Sequence, residues 1–357
     1  VPPSVVLVTG VSRTLGSRVA ARLAGDPRIE RVIGVDTTPP KGSALAALGR
    51  TEFVRVDIRN PLIAKVITAA GVDTVLHMSV LAAPKDAGGR SAMKEMNVLG
   101  TMQLLAACQK APTTERFVLR STSAVYGSSP ADPAQFTEDT EPRSAPRSGY
   151  GKDAVEIEGY VRGFARRRPD VAVTVLRAAN VLGPRIDSPI TRYFSLPSVP
   201  MVFGFDPRIQ FAHLDDVLSV VHLAATEDRD GVYNLAGGGV LTLSQAIRRS
   251  GRIPVPVPDR AASLLSMVVR RAGMIDFSAE QLRFMTYGRV LDCTKLTNDF
   301  GYSPRYSTPE AFDAWVRDRD LASALNPENL AELERSLLGQ LTRLDGFIDA
   351  GRRWTGG

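Results

Sequence analysis

The chain has 357 residues, of which 44% are hydrophobic and 23% charged. This length and balance exclude a disordered or fibrous protein and allow one large domain with a smaller lobe. The net charge of +6 and the pI near 9.5 suit anionic ligands, and the scattered basic residues come with no nucleic-acid-binding motif.

In chain order, Val5–Val8 is an apolar, mostly β-branched run that reads as a buried strand. Thr9 and Gly10 end it. Leu15, Val19 and Leu23 then recur at helical spacing, so a helix begins near Leu15 or Gly16. Strand, glycine turn and helix together aim a helix N-terminus at a phosphate. A second strand, Arg31–Asp36, ends in Asp36, 20 residues past Gly16. At that spacing a carboxylate meets an adenosine ribose, and it would repel a 2′-phosphate, so the expected cofactor is NAD rather than NADP. The place of a middle glycine is taken by Arg13. Its side chain either obstructs a pyrophosphate, pairs with it, or is solvated.

Further strands are predicted at Phe53–Asp57, Asp73–Met78, Phe117–Arg120 and Val171–Arg177. Pro61 opens a helix, and helices are predicted at Lys94–Gln109 and Gly151–Arg167. The alternation predicts an α/β fold, a Rossmann-type doubly wound parallel sheet over residues 1–180. From Val181 short pieces and prolines dominate. Residues 181–315 are therefore read as mostly a smaller substrate lobe over the carboxyl ends of the strands, with segments near 205–237 returning to the sheet, among them Gly231–Leu235. Leu243–Arg249 reads as a short helix and Ala261–Val269 as a lobe-packing one. Residues 316–357 form a predicted helical extension opened by Asn326 and Pro327. Its stripe of Leu330, Leu333, Leu337, Leu341, Leu344 and Ile348 must bury against the body or a second subunit, which makes a homodimer an expectation.

Cys108 and Cys293 stand far apart and fit a reducing compartment. His77, His213 and His222 show no ligand spacing, so no metal is expected. The first strand leaves no room for a signal peptide and no apolar run is long enough to span a bilayer, so the expected location is the cytoplasm.

Several motifs in order carry a resemblance: TGVSRTLG at Thr9–Gly16, Asp36, Asp57-Ile58, Asn97 in MNVLGT, STSAVYG at Ser121–Gly127, RAANVLGP at Arg177–Pro184, FAHLDDV at Phe211–Val217 and YNLAGG at Tyr233–Gly238. From Val5 to about Trp315 the chain resembles the extended short-chain dehydrogenases. These form the NAD-dependent epimerase/dehydratase family, and the likeness is to actinobacterial UDP-glucose 4-epimerase-like members. The resemblance implies NAD as cofactor, held by Gly10, Ser12, Arg13, Leu15, Gly16, Asp36, Asp57, Ile58 and Asn97. It also implies a nucleotide sugar as substrate, positioned by Arg177 and Asn180.

In that family a YxxxK tyrosine is the base. The lysine lowers its pKa and holds the nicotinamide ribose, and a Ser or Thr hydroxyl bonds the reacting oxygen. Carried over, the hydroxyl is Thr122. The lysine is Lys152, because KDAVE resembles the family's KxxxE. Four residues earlier stands Ser148, whose hydroxyl is too weakly acidic to replace a phenolate and which reads as a helix cap. Tyr150 is a candidate surrogate base. Two residues along a helix would turn it roughly 200° from Lys152, unless Gly149 and Gly151 make the backbone irregular. Two readings result: a nucleotide-sugar epimerase or dehydratase with a degenerate site, or a non-catalytic NAD- or nucleotide-binding regulatory or scaffold protein.

Overall fold

The computed structural model describes residues 3–143, 145–258 and 279–321. Seven parallel strands form one sheet: β1 (Val5–Thr9), β2 (Arg31–Asp36), β3 (Glu52–Arg55), β4 (Thr74–His77), β5 (Arg116–Thr122), β6 (Ala172–Ala178) and β7 (Gly231–Leu235). Their order across the sheet is β7-β6-β5-β4-β1-β2-β3. The order reverses at β1 and β4, and a crevice opens at such a switch point beyond the carboxyl ends of the strands.

Both faces of the sheet are covered, which is why β1 is apolar throughout rather than alternating. Val6 and Val8 pack with Val19 and Leu23 of the helix Thr14–Ala24 and with Leu214, Val217 and Val221 of the helix Leu214–Thr226. On the opposite face Val5 and Leu7 meet Ile63 and Ile67 of Leu62–Ala70, Leu104 of Gly100–Lys110, and Ile157, Val161 and Phe164 of Gly149–Arg167. A second core gathers Tyr193, Phe194, Phe211, Phe312 and Trp315, with the Phe194 and Phe312 rings 5.0 Å apart.

Several elements differ from the sequence reading, two of them in the helical layers on the sheet. The single helix read at Lys94–Gln109 is three pieces: Arg90–Lys94, a π turn over Glu95–Leu99, and Gly100–Lys110. The π turn carries Asn97, whose side chain accepts from the Leu81 N–H at 2.8 Å and donates to the Leu81 carbonyl at 3.0 Å. The helix Leu214–Thr226 is not among the predicted elements. Buried residues crowd most of its circumference, so the period that marks a half-exposed helix is weak. The predicted helices at Ala261–Val269 and Leu330–Ile348 lie outside the described residues. No helix among the described residues is long and apolar enough to cross a membrane.

At the end of β4, buried His77 has Nδ1 2.9 Å from Thr9 Oγ1 and Nε2 2.8 Å from Thr101 Oγ1, and Thr101 donates onward to the Asn97 carbonyl. Burial, and then the Arg120 charge, push its pKa down to about 3. The imidazole is therefore neutral in the fold, whereas the unfolded chain protonates it near its ordinary value of 6.5. The unfolded chain takes up the proton first. Stability from this group is thus full above about pH 6.5 and is lost as the pH falls toward 3, by up to about 1.4 kcal/mol per pH unit. Urea midpoints measured from pH 7 to 4 should fall less steeply in His77→Gln than in the parent; identical slopes would contradict this assignment.

Candidate active site

A cavity of about 490 Å³ opens where β1, β4, β5 and β6 end. One end is built by the turn after β1. Gly10 has φ +78°, in the left-handed region that favours glycine. A Cβ on Gly16 would stand 2.1 Å from the Gly10 carbonyl oxygen, so the helix Thr14–Ala24 rests directly on the turn. Its ladder begins with Ser17 N–H donating to the Arg13 carbonyl. The amides ahead of Ser17 have no acceptor within the helix, and the helix dipole is positive at this end. Ser12, Arg13, Thr14, Leu15 and Gly16 all line the cavity. This is a cradle that a pyrophosphate fits. Arg13 is the N-cap residue, with extended backbone, and its exposed side chain stands at the cavity rim.

Asp36 closes β2 behind that cradle. Its carboxylate accepts from Ser12 N–H at 3.0 Å and Thr37 N–H at 2.8 Å. Gly10, Asp36, Asp57, Ile58 and Asn97 are not among the residues of the wall itself. Asp57 is clamped by Arg59, whose guanidinium holds its carboxyl below the usual range. Buried Ile58 packs on Gly100, where a Cβ would come within 2.8 Å of its Cδ1. Asn97 fixes Leu81, which does line the cavity.

The other end is built by β5, β6 and the helix Gly149–Arg167. Thr122, Tyr150, Gly151 and Asn180 share this wall. Thr122 Oγ1 accepts from Ala124 N–H at 3.2 Å and caps the 3-10 turn Ser123–Tyr126. The tyrosine of STSAVYG, Tyr126, is locked away. It donates to Asn234 and accepts from Arg177, both at 2.8 Å, and burial pushes its pKa up to about 12.

The rotation of the helix Gly149–Arg167 decides which of its residues face the cavity. Ser148 stands at its N-cap, but its side chain makes no capping bond, contrary to the sequence reading. Glu158 is buried, accepts from Ser121 Oγ and takes a forked pair of bonds from Arg177, the closest at 2.8 Å. Glu156 instead lies near the surface, 3.9 Å from Lys94. The glutamate that ties this helix to the strands is therefore Glu158. Four residues before it is Ala154, which is buried among Val125, Tyr126 and Phe136, and eight before it is Tyr150. Counted from Glu158, the YxxxK and KxxxE spacings fall on Tyr150, Ala154 and Glu158, with alanine where a lysine would stand. Lys152 is not in the cavity wall. Two residues from Tyr150, its Cβ is turned by roughly 200°. Arg177 is not in the wall either, because Glu158, Tyr126 and the Glu138 carbonyl occupy its guanidinium. It positions the end of β6, beyond which Asn180 reaches the cavity.

Two wall arginines carry no signal that the sequence reading could use, while Ser123 is marked only as a member of STSAVYG. Half-buried Arg120 donates to the Val80 carbonyl at 3.2 Å, while its Nε is buried without a partner. Ser123 and Arg289 bond one another across the cavity floor. Nothing local distinguishes these arginines from solvated ones. Among the described residues no group of His, Cys, Asp or Glu is arranged to hold a metal ion.

Residues 6–236 match the family model described as the NAD dependent epimerase/dehydratase family. The chain belongs to this family. An uncharacterized protein of Mycobacterium tuberculosis is 48% identical over 341 residues, covering 96% of this chain and 91% of that protein. A dTDP-glucose 4,6-dehydratase of Streptomyces niveus is 28% identical over 342 residues, covering 88% and 93%. Among solved structures, the UDP-glucose 4-epimerase of Thermotoga maritima with UDP-glucose superposes with a TM-score of 0.70 at 22% identity, covering 88% of this chain and 98% of that one. At that identity the superposition speaks for the fold, and the family model carries the NAD-dependent epimerase/dehydratase assignment.

Within this family member the buried pair is open to a direct trial. Glu158→Gln leaves Arg177 charged without a counter-ion and should cost about 3–5 kcal/mol in urea unfolding. Glu156→Gln removes only a long, partly exposed contact and should cost less than about 1 kcal/mol. Equal losses would contradict the helix register.

Proposed function

We propose that the chain binds NAD at the turn after β1 and a nucleotide sugar at the opposite end of the cavity, and acts on a sugar carbinol as an epimerase or dehydratase. The observation that supports this most is that Tyr150 and Thr122 share one wall of the cavity whose other end is the Gly10–Gly16 cradle. Asp36, whose carboxylate holds the Ser12 amide at the cradle, would accept from ribose hydroxyls and repel a 2′-phosphate, so NAD should bind more tightly than NADP. Asn97 holds Leu81 in the cavity wall.

Bound NAD supplies the acceptor for a hydride from the sugar carbon. Thr122 holds the reacting oxygen through its hydroxyl, and Tyr150 takes the proton from it. Asn180 orients the sugar, while Arg177 holds β6 in place. Lys152 has no part in this. Ser148 has none either.

Ala154 favours a second reading. No ammonium stands one helical turn from Tyr150, so the charge that this family places beside its tyrosine is missing. A protein that binds NAD and a nucleotide sugar with little turnover fits that observation.

The test uses the NAD-loaded protein with UDP-glucose, following binding by calorimetry and conversion to UDP-galactose by chromatography. Tyr150→Phe should lower turnover by about 10²-fold or more, and Lys152→Ala by less than about threefold. Loss of NAD binding and turnover in Lys152→Ala, with Tyr150→Phe unaffected, would overturn the assignment. Binding of both ligands with no turnover in the parent would establish the second reading.

A further inference from the structure

We propose that this cavity selects a nucleotide sugar bearing a carboxylate on its sugar ring, a uronate, and that Arg289 recognises the carboxylate; this rests on the nucleotide-sugar reading above. Arg289 is half-buried and lines the cavity, and it also lines the neighbouring pocket that holds Asp132. Its Nε donates to the Gly127 carbonyl at 2.8 Å, one Nη to Ser123 Oγ at 3.2 Å and the other to Ser128 Oγ at 3.0 Å, while the guanidinium lies 5.1 Å from the Phe284 ring centre. All three acceptors are neutral. No carboxylate among the described residues forms an ion pair with it, and Asp132 and Glu280 act on it only from farther off.

Arg177 shows the contrast. There a buried guanidinium is matched by Glu158 and two further oxygens. Arg289 has given up much of its hydration without such a partner, and burial pulls its pKa down to about 10, which leaves it cationic at neutral pH. A desolvated charge of this kind is costly until a counter-ion arrives. Of its five N–H groups three are engaged, so one on each Nη remains, the fork that matches a carboxylate.

Placement distinguishes a ring carboxylate from the diphosphate. Arg289 bonds Ser123, the residue next to Thr122. With the C4 oxygen of a hexose held by Thr122, the substituents on the adjoining ring carbons C3 and C5 come next, and the one on C5 is what a uronate carries as carboxylate. The diphosphate leaves from C1, across the ring. A neutral hexose would leave the Arg289 charge unmatched.

The experiment is calorimetric titration of the NAD-loaded full chain with UDP-glucuronate and with UDP-glucose. The expected result is about tenfold or greater preference for the uronate, as one charge-assisted forked pair supplies. In Arg289→Gln the ratio of the two affinities should fall to within about twofold of one, and in Arg289→Lys it should lie between. Equal affinities in the parent, or a preference for UDP-glucose, overturn this inference and leave the nucleotide-sugar reading standing. So does an Arg289→Gln protein that weakens both ligands by the same factor, since the arginine would then grip their shared UDP. Failure of the parent to bind either sugar overturns both. The ratio in the parent decides the matter even if the glutamine variant does not fold.

Discussion

The buried pair between Glu158 and Arg177 sets the geometry on which the rest of the site depends. It joins the helix Gly149–Arg167 to the end of β6 and, through Ser121, to β5. Burial works against the Arg177 charge, and the Glu158 carboxylate outweighs it, so the pKa of the guanidinium is raised. Such a pair stands only where its remaining lone pairs and protons are satisfied. Here Ser121, Tyr126 and the Glu138 carbonyl do so. With Glu158 fixed, helix geometry leaves no freedom at the other end: Ala154 is buried one turn back and Tyr150 faces the cavity two turns back.

The same helix is pinned from a second side. Asp153 is fully buried, pairs with Arg90 at 2.6 Å and accepts from Asn97 at 3.2 Å. Asn97 in turn holds Leu81 in the cavity wall, and the π turn around it brings its side chain to that strand end. Lys152 lies between Asp153 and Gly151 in sequence but on the face that neither contact buries. Two polar anchors thus fix one rotation of the helix, and that rotation determines which of its residues face the cavity. At the other end of the cavity a single close approach, Gly16 on the Gly10 carbonyl, fixes the cradle.

Much of this is legible in the amino-acid order alone. The β1 run, the glycine turn and Asp36 carry their own local signals, because a strand covered on both faces is apolar throughout and a tight turn needs glycine. The return to the sheet at Gly231–Leu235 is legible as well, and β7 pairs there with β6. The helix Leu214–Thr226 is not, because burial on most sides erases its period. The register of the helix Gly149–Arg167 is not either. Glu156 and Glu158 stand two residues apart, both on a helix, and only the partner across space tells the surface glutamate from the buried one. Lys152 lies four residues before Glu156, the one nearer the surface. Arg120 and Arg289 carry no local mark, since a cavity-lining arginine and a solvated one read alike in sequence.

The proposed chemistry requires Tyr150, with Thr122, to face the reacting carbon and Lys152 to face away from it. A crystal structure of the chain with NAD and a nucleotide sugar tests this most directly. The expected result is that the Tyr150 and Thr122 hydroxyls both lie within about 3 Å of one sugar oxygen, with the Lys152 ammonium outside the cavity. Lys152 bonded to the nicotinamide ribose, with Tyr150 turned away from the sugar, would contradict it.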